Sequence, residues 1–245
     1  MSMKKSLVII PTYNEIENIG LMIDTVFSIS QDIHVLIVDD SSPDGTSKKV
    51  DSLISQYNNR LFLIERREKR GLGTAYIAGF QWGLQKSYEY FFQMDCDFSH
   101  NPNDLLRLYN MLQEKNIDLC IGSRYVSGIN VINWPMSRVL LSYGASFYVR
   151  LITGMTIKDP TAGFKLYRRH VLESIPLDDV EFIGYAFQIE MKFRTWKQKF
   201  KITELPIIFK DRERGVSKLN SSIIKEAVFG VLKMKVKSML SSSYK

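Results

Sequence analysis

Asp95 and Asp97 stand one residue apart in the stretch QMDCDFSHNP, Gln93 to Pro102, directly after the apolar run YEYFF. Two carboxylates so spaced at the end of a strand can point towards one hard cation. Mg2+ and Mn2+ favour oxygen ligands and share their shell with substrate phosphates. The bland alternative is a turn with an N-cap for the next helix. His100, beside the pair, reads as a hydrogen-bonding partner rather than a metal ligand.

Other segments offer weaker chemistry. In VDDSSPDGT, Asp40 can accept hydrogen bonds from a nucleobase or ribose if PTYNE lies beside it; otherwise the segment is a hydrogen-bonded turn. REKRGLGTAY resembles a phosphate cradle, since glycine lets backbone N–H groups approach an anion, but it matches neither GxGxxG nor GxxxxGK[ST]. A helix-start turn explains it equally, with Arg66, Arg67, Lys69 and Arg70 as a solvated charge run. In DPTAGFKLYRR, Asp159, Arg168 and Arg169 read as surface ion pairs, and in GYAFQIEMKFR, Gln188 and Glu190 read as exposed helix positions. In DRERGVSKL, Arg212, Arg214 and Lys218 either close over phosphates or form a solvated loop.

Alternating elements must position these residues. SLVIIP, IHVLIVDD, RLFLIERR, YEYFFQMD and IDLCIGSR read as strands, and helix-like segments separate them. The pattern predicts an α/β fold with parallel βαβ units and ligands beyond the carboxyl ends of the strands. Those ends read PTYNE, VDDSSPDGT, MDCDFSH and GSRY. The second half is less regular. Residues 135–153 predict a helix with Leu140, Leu141, Phe147, Leu151 and Ile152 on broad apolar faces. GFKLYRR predicts a short strand, GYAFQIEMKFRTWKQKF a helix, and KITELPIIFK a strand that Pro206 makes an edge or a bulge. SSIIKEAVFGVLKMKVKSML predicts an amphipathic helix with Ile224, Val228, Val231 and Leu232 on one side and Lys225, Lys233 and Lys237 elsewhere.

The 245 residues fit one large α/β domain, and 45% hydrophobic content supplies a core. A net charge of +7 favours anionic partners or a membrane surface. The basic residues form no continuous stripe with interleaved aromatics, so a nucleic-acid-binding module is disfavoured. Cys96 and Cys120 make no disulfide framework, which implies a reducing compartment. No segment reaches the roughly 18 uninterrupted apolar residues of a spanning helix; Arg150 breaks the nearest candidate, VLLSYGASFYVRLITGM.

Together the strings PTYNE.EN, VDDSSPDGT, GLGTAY..G, MDCDFSH.P, GSRY, D.T.GFKLYRR, GY.FQIEM and DR..G.SKL resemble the dolichol-phosphate (polyprenyl-phosphate) mannosyltransferases, which are inverting, GT-A-type members of glycosyltransferase family 2. They run in the family's order from about residue 7 to 220. The resemblance implies a GT-A catalytic domain over residues 1–220, with 221–245 an amphipathic helix and tail of the same domain. It implies transfer of mannose from GDP-mannose to a polyprenyl or dolichyl phosphate, or the same reaction with UDP-glucose or another nucleotide sugar.

By motif position, Pro11, Tyr13, Glu15, Val38 and Asp40 would hold the nucleoside, and Asp95, Cys96 and Asp97 would flank the diphosphate. Asp97 would be the principal ligand of Mg2+ or Mn2+, with Asp95, and with Ser99 where some relatives carry Gln; the shorter serine would reach the metal through water. Arg124, Arg212 and Lys218 would bind the phosphates of donor or acceptor and complete the catalytic set. An acceptor phosphate is already anionic, so it needs positioning and charge compensation rather than a strong base. The lipid tail stays in the bilayer. The expectation is therefore a cytoplasmic protein held peripherally at the cytoplasmic face of a membrane by the 135–153 segment, the C-terminal helix and net positive charge. The sequence names no protein partner.

Overall fold

The run SLVIIPT shows no polar alternation because it is covered on both faces. It forms β1 (Ser6–Thr12), with Leu7 and Ile9 in one core and Val8 and Ile10 in the other. The computed structural model describes residues 3–211 and 221–240; the side chains of Tyr185 and residues 221–227 lie outside the description.

Among the described residues, β1 joins β2 (Ile33–Asp39), β3 (Leu61–Glu65), β4 (Tyr90–Gln93), β5 (Leu119–Ser123), β7 (Lys165–Arg168) and β8 (Ile202–Pro206) in one sheet of order β3-β2-β1-β4-β7-β5-β8. The β1–β2, β2–β3, β1–β4 and β5–β8 pairs are parallel, whereas β7 runs antiparallel to both β4 and β5. A separate parallel ribbon pairs β6 (Val131–Ile132) with β9 (Phe209–Lys210).

Helices cover both faces. The helices α1 (Ile16–Ile29), α2 (Thr46–Ile54) and α4 (Asp104–Glu114) supply one core. On α1, Ile19, Met22, Ile23, Val26 and Phe27 are buried at helical spacing. The opposite core takes residues from α3 (Leu72–Leu84), α5 (Met136–Thr153), α6 (Arg169–Ser174), α7 (Tyr185–Lys197) and α8 (Ser221–Leu240). The strand sequence reverses direction at β1, whose neighbours are β2 and β4, so a crevice opens beyond the carboxyl ends of β1 and β4.

All the predicted strands and helices are present. Pro206 ends β8 at the sheet edge, and the rest of KITELPIIFK leaves the main sheet to form β9. The antiparallel entry of β7, the short α6 and β6 were not anticipated; none has enough length for a periodic signal. Of the apolar side predicted for the C-terminal helix, Val231 packs inward and Val228 and Leu232 do not, while the side chains of Ile224 and Lys225 lie outside the description. Val231, Met234 and Ser238 are buried, whereas Val228 and Leu232 are exposed with Phe229, Val236, Met239 and Leu240. On α5, Leu140, Leu141, Phe147 and Leu151 are exposed, and Val139, Ser146, Val149 and Thr153 face inward. None of the helices is long and apolar enough to cross a membrane among the described residues.

The GLGT segment is a packing turn. Gly73 N–H donates to Ile183 O at 2.8 Å, and a Cβ at Gly73 would lie 2.8 Å from Phe182 O and from Phe187 Cγ. Glycine is thus what lets the start of α3 touch the segment before α7. Gly73→Ala is expected to cost about 1–3 kcal/mol by overpacking. Urea unfolding should show a lower midpoint with an unchanged slope.

Candidate active site

Two loops meet at the carboxyl ends of β1 and β2. Asp40 N–H donates to Thr12 O (3.1 Å), Asn14 N–H to Ser42 Oγ (3.0 Å), Glu15 N–H to Thr46 Oγ1 (3.0 Å) and Ile16 N–H to Asp44 Oδ2 (3.0 Å). PTYNE and VDDSSPDGT therefore form one surface. The two aspartates divide the work. Asp39 is wholly buried and accepts from Thr12 Oγ1, Ser42 N–H and Ser42 Oγ, so it builds the turn. Asp40 pairs with Arg66, whose Nε donates to Asp40 Oδ1 at 2.6 Å. Arg66 also donates to Thr74 Oγ1 (2.7 Å) and Gly71 O (3.3 Å). It is a clamp between β2, β3 and α3, not part of a solvated run. Lys69 lies 3.9 Å over the Tyr13 ring, while Arg67 is exposed and Arg70 pairs with Glu68. The side chains of Val38 and Cys96 are buried in the two cores, which leaves only their backbones for contact with a ligand.

Beyond β4, Asp95 and Asp97 are partly exposed. Tyr76 of α3 donates its hydroxyl to Asp95 Oδ1 at 3.2 Å, and burial, reinforced by Asp95, raises the phenol well above its ordinary value. Ser99 N–H donates to Asp97 Oδ1 at 3.1 Å. Ser99 Oγ is buried and has no hydrogen-bond partner among the described residues. Two carboxylates and a spare hydroxyl are hard oxygen donors and fit a divalent cation such as Mg2+ or Mn2+. Among the described residues no group of three or more His, Cys, Asp or Glu side chains could hold a metal, so oxygens of substrate or water would complete such a shell.

His100 is buried, stacked on Phe164 at 5.0 Å and edge-on to Phe209 at 5.3 Å. Burial lowers its pKa against the pull of Asp95 and Asp97, so the ring is neutral near pH 7. It is packing for the aspartate turn. Lys210 N–H donates to Ser99 O at 3.2 Å, which brings β9 against the same turn. Arg212 and Lys218 lie outside the described residues.

Arg124, at the end of β5, donates through Nε (2.7 Å) and Nη2 (2.6 Å) to Asp159 and through Nη2 to Thr161 Oγ1 (2.7 Å). Its backbone N–H also reaches Asp159 Oδ2 at 3.0 Å. Asp159 was expected in a surface pair and is instead wholly buried. Gln188 and Glu190 were expected on an exposed helix face and are buried too. Glu190 binds Arg194 Nε (3.0 Å) and the N–H groups of Glu181 (3.0 Å) and Phe182 (3.1 Å).

Two lysines that the sequence did not single out, Lys165 and Lys192, are also fully buried. Lys192 Nζ donates to Pro160 O (3.0 Å), Ala162 O (2.6 Å) and Gln188 O (3.2 Å), which matches its three donors. Lys165 Nζ donates to Gln188 Oε1 and Ala162 O. Burial lowers both ammonium pKa values, and the Lys192 charge lowers Lys165 further. The only hint in the sequence was spacing: Gln188 and Lys192 are one turn apart on a helix otherwise rich in large apolar residues.

Burial alone would raise the Asp159 carboxyl, but the Arg124 charge and hydrogen bonds overcome that and hold it below its ordinary value. The stability this pair contributes is present above the unfolded carboxyl pKa, roughly 4, and is lost as pH falls through the lower folded value. Asp159→Ala leaves Arg124 without its buried counter-charge. The expected loss is about 3–5 kcal/mol by urea unfolding at pH 7, with a flatter acid limb below about pH 4 than in the unsubstituted protein.

Comparison with known proteins places this geometry. Residues 7–175 match the family described as glycosyl transferase family 2. The chain is 45% identical over 237 residues to polyprenol monophosphomannose synthase of Mycolicibacterium smegmatis, covering 97% of this chain and 89% of that one. It is 44% identical to undecaprenyl-phosphate mannosyltransferase of Micrococcus luteus, covering 92% and 91%. Among solved structures, glucosyl-3-phosphoglycerate synthase from Mycobacterium tuberculosis, in complex with Mn2+, UDP-glucose and phosphoglyceric acid, superposes with a TM-score of 0.69 at 18% identity, over 95% of this chain and 80% of that one. That likeness shows the same α/β, GT-A fold. The chain belongs to glycosyl transferase family 2 and is a glycosyltransferase.

Proposed function

We propose that the protein transfers mannose, with inversion, from GDP-mannose to a polyprenyl phosphate, releasing GDP. The observation that carries this reading is the Asp95–Asp97 pair at the switch point of the sheet, in a chain 45% identical to a polyprenol monophosphomannose synthase over nearly its whole length. In this reading the joined loops of Tyr13, Glu15 and Asp40 receive the nucleoside. The backbones of Pro11, Val38 and Cys96 contribute, and the side chains of Asp95 and Asp97 face the sugar diphosphate.

Asp95 and Asp97, with Ser99 through water, would hold Mg2+ or Mn2+, which when bound neutralises charge on the diphosphate. The solved fold neighbour's complex with Mn2+ and UDP-glucose supports a divalent ion at this type of site. Tyr76 holds one oxygen of Asp95 in place. Arg124, Arg212 and Lys218 would compensate phosphate charge. The acceptor phosphate attacks as an anion, so no residue need remove a proton, and one displacement inverts the anomeric carbon.

The acceptor's hydrocarbon stays in a bilayer, and the protein meets it at the surface. Met136, Leu140, Tyr143, Phe147 and Leu151 follow one another at three- or four-residue steps on α5, and all are at least half exposed. Phe229, Leu232, Val236 and Met239 make a similar exposed row on α8, which packs on α5 through Tyr148 Oη donating to Val228 O at 3.0 Å. Such rows favour peripheral docking on a membrane surface, which in this reading is the cytoplasmic face.

Purified protein with undecaprenyl phosphate and a panel of nucleotide sugars tests the reading. GDP-mannose should give GDP and lipid-linked mannose, and chelator should abolish both. Asp97→Ala should lower the rate by about 10^3-fold or more with an unchanged melting temperature. Transfer from UDP-glucose instead would move the assignment to another donor, and full activity in excess chelator would refute the metal role.

A further inference from the structure

Gly163 lies in the loop just before β7, and neither backbone nor packing explains why it is glycine. Its φ is outside the left-handed range. A Cβ there would meet only ordinary van der Waals neighbours: Asp95 Oδ2 at 3.5 Å, His100 Cε1 at 3.6 Å and Gln188 Nε2 at 3.8 Å. Gly73 differs, since its Cβ would collide. The bare Cα of Gly163, at a residue partly open to solvent, lets an incoming group approach between a carboxylate oxygen, a ring C–H and an amide nitrogen, and these groups form a cradle.

The amide is fixed. Gln188 is buried, and its Oε1 accepts from Lys165 Nζ, so its Nε2 must be the atom turned towards the cradle. Nε2 has no hydrogen-bond partner among the described residues. A buried donor left unpaired is costly, so the site is built for a group that accepts from it. The same group must be tolerated by Asp95. A phosphate oxygen would accept from Gln188 but be repelled by Asp95. A cation would suit Asp95 but meet the Gln188 N–H and, behind it, Lys165. A hydroxyl accepts from one and donates to the other.

We propose that the cradle over Gly163 is a subsite for one hydroxyl of the transferred sugar, with Gln188 Nε2 as donor, Asp95 Oδ2 as acceptor and the Gly163 Cα as floor. The subsite rests on the nucleotide-sugar reading above and adds to it a determinant of which sugar is accepted. A site that hydrogen-bonds a hydroxyl discriminates strongly against an analogue that lacks it. Lys165 is then a positioning residue, since it orients the Gln188 amide.

Gly163→Ala tests this with little risk to the fold, because the added Cβ fits and glycine-to-alanine changes at compatible positions tend to stabilise. Gln188→Met is the second variant and removes the donor while keeping the volume. Affinity for GDP and for GDP-mannose is measured by calorimetry, and transfer to undecaprenyl phosphate is measured with GDP-mannose and its 3-, 4- and 6-deoxy analogues. Both variants should bind GDP as the unsubstituted protein does and lose about 10- to 100-fold in kcat/KM with GDP-mannose. One deoxy analogue should be poor for the unsubstituted protein by a similar factor, and that penalty should shrink in both variants. Equal losses for GDP and for every analogue would show a structural role only. Unchanged deoxy penalties, or no loss at all, would overturn the subsite. If UDP-glucose proves to be the donor, UDP and the deoxy analogues of UDP-glucose decide in the same way. Failure of the unsubstituted protein to bind any nucleotide or transfer any sugar would refute the reaction itself, and the subsite with it.

Discussion

The buried carboxylate of Asp159 holds together parts of the chain that would otherwise have no reason to meet. It takes the Arg124 guanidinium from the end of β5, and its own N–H and that of Lys158 are held by Glu204 of β8 at 2.9 and 2.7 Å. The next carbonyls of the same loop, Pro160 and Ala162, accept from Lys192 of α7. Two strands and a helix therefore converge on five residues. Each partner is charged, and each would be expensive to bury alone. The arrangement is stable only as a set, because Asp159 offsets Arg124 and carbonyl dipoles satisfy Lys192.

That set determines what faces the crevice. The loop it fixes ends at Gly163, which rests against Asp95, His100 and Gln188. Asp95 is held through its other oxygen by Tyr76 of α3, and α3 is seated by the close approach of Gly73 to the segment before α7. The aspartate turn is thus gripped between two elements of one face, while its own backbone meets β9 through Ser99 and Lys210. At the carboxyl ends of β1 and β2 the joining is done by hydrogen bonds between the two loops, with Arg66 tied into them through Asp40 and Lys69 lying over the Tyr13 ring. The site has a rigid half made from buried ions and a lighter half made from turns.

Much of this could be read from residue order. Strands that run apolar throughout and end in polar residues mark a parallel sheet and its carboxyl edge, and the Asp95–Asp97 spacing marks the place where chemistry would concentrate. What failed to show was burial of charge. Glu190 and Arg194 pair one helical turn apart, a spacing that an exposed helix face shows equally often, whereas Asp159 and Lys192 are offset by partners about thirty residues away, Arg124 and the carbonyls of Pro160 and Ala162. Arg66 was hidden for the same reason, as one basic residue among four. On α8 apolar residues surround the helix, so periodicity does not select which row meets α5 and α7.

The antiparallel strand β7 also bears on how the chain is made. It separates β4 from β5, although β5 is synthesised first and β7 follows only after the whole of α5. Strands β1 to β4 can pair in the order in which they leave the ribosome. From that moment β4, with Phe91 and Phe92, presents an unpaired edge until Lys165 to Arg168 arrive, and β5 has no strand of the main sheet to join. Unpaired edges of this kind are prone to non-native association. The half built on β1 to β4 can assemble during translation, whereas the half anchored on Asp159 must wait for β8 and α7, so the order of synthesis and the order of pairing agree on one side of the crevice and conflict on the other.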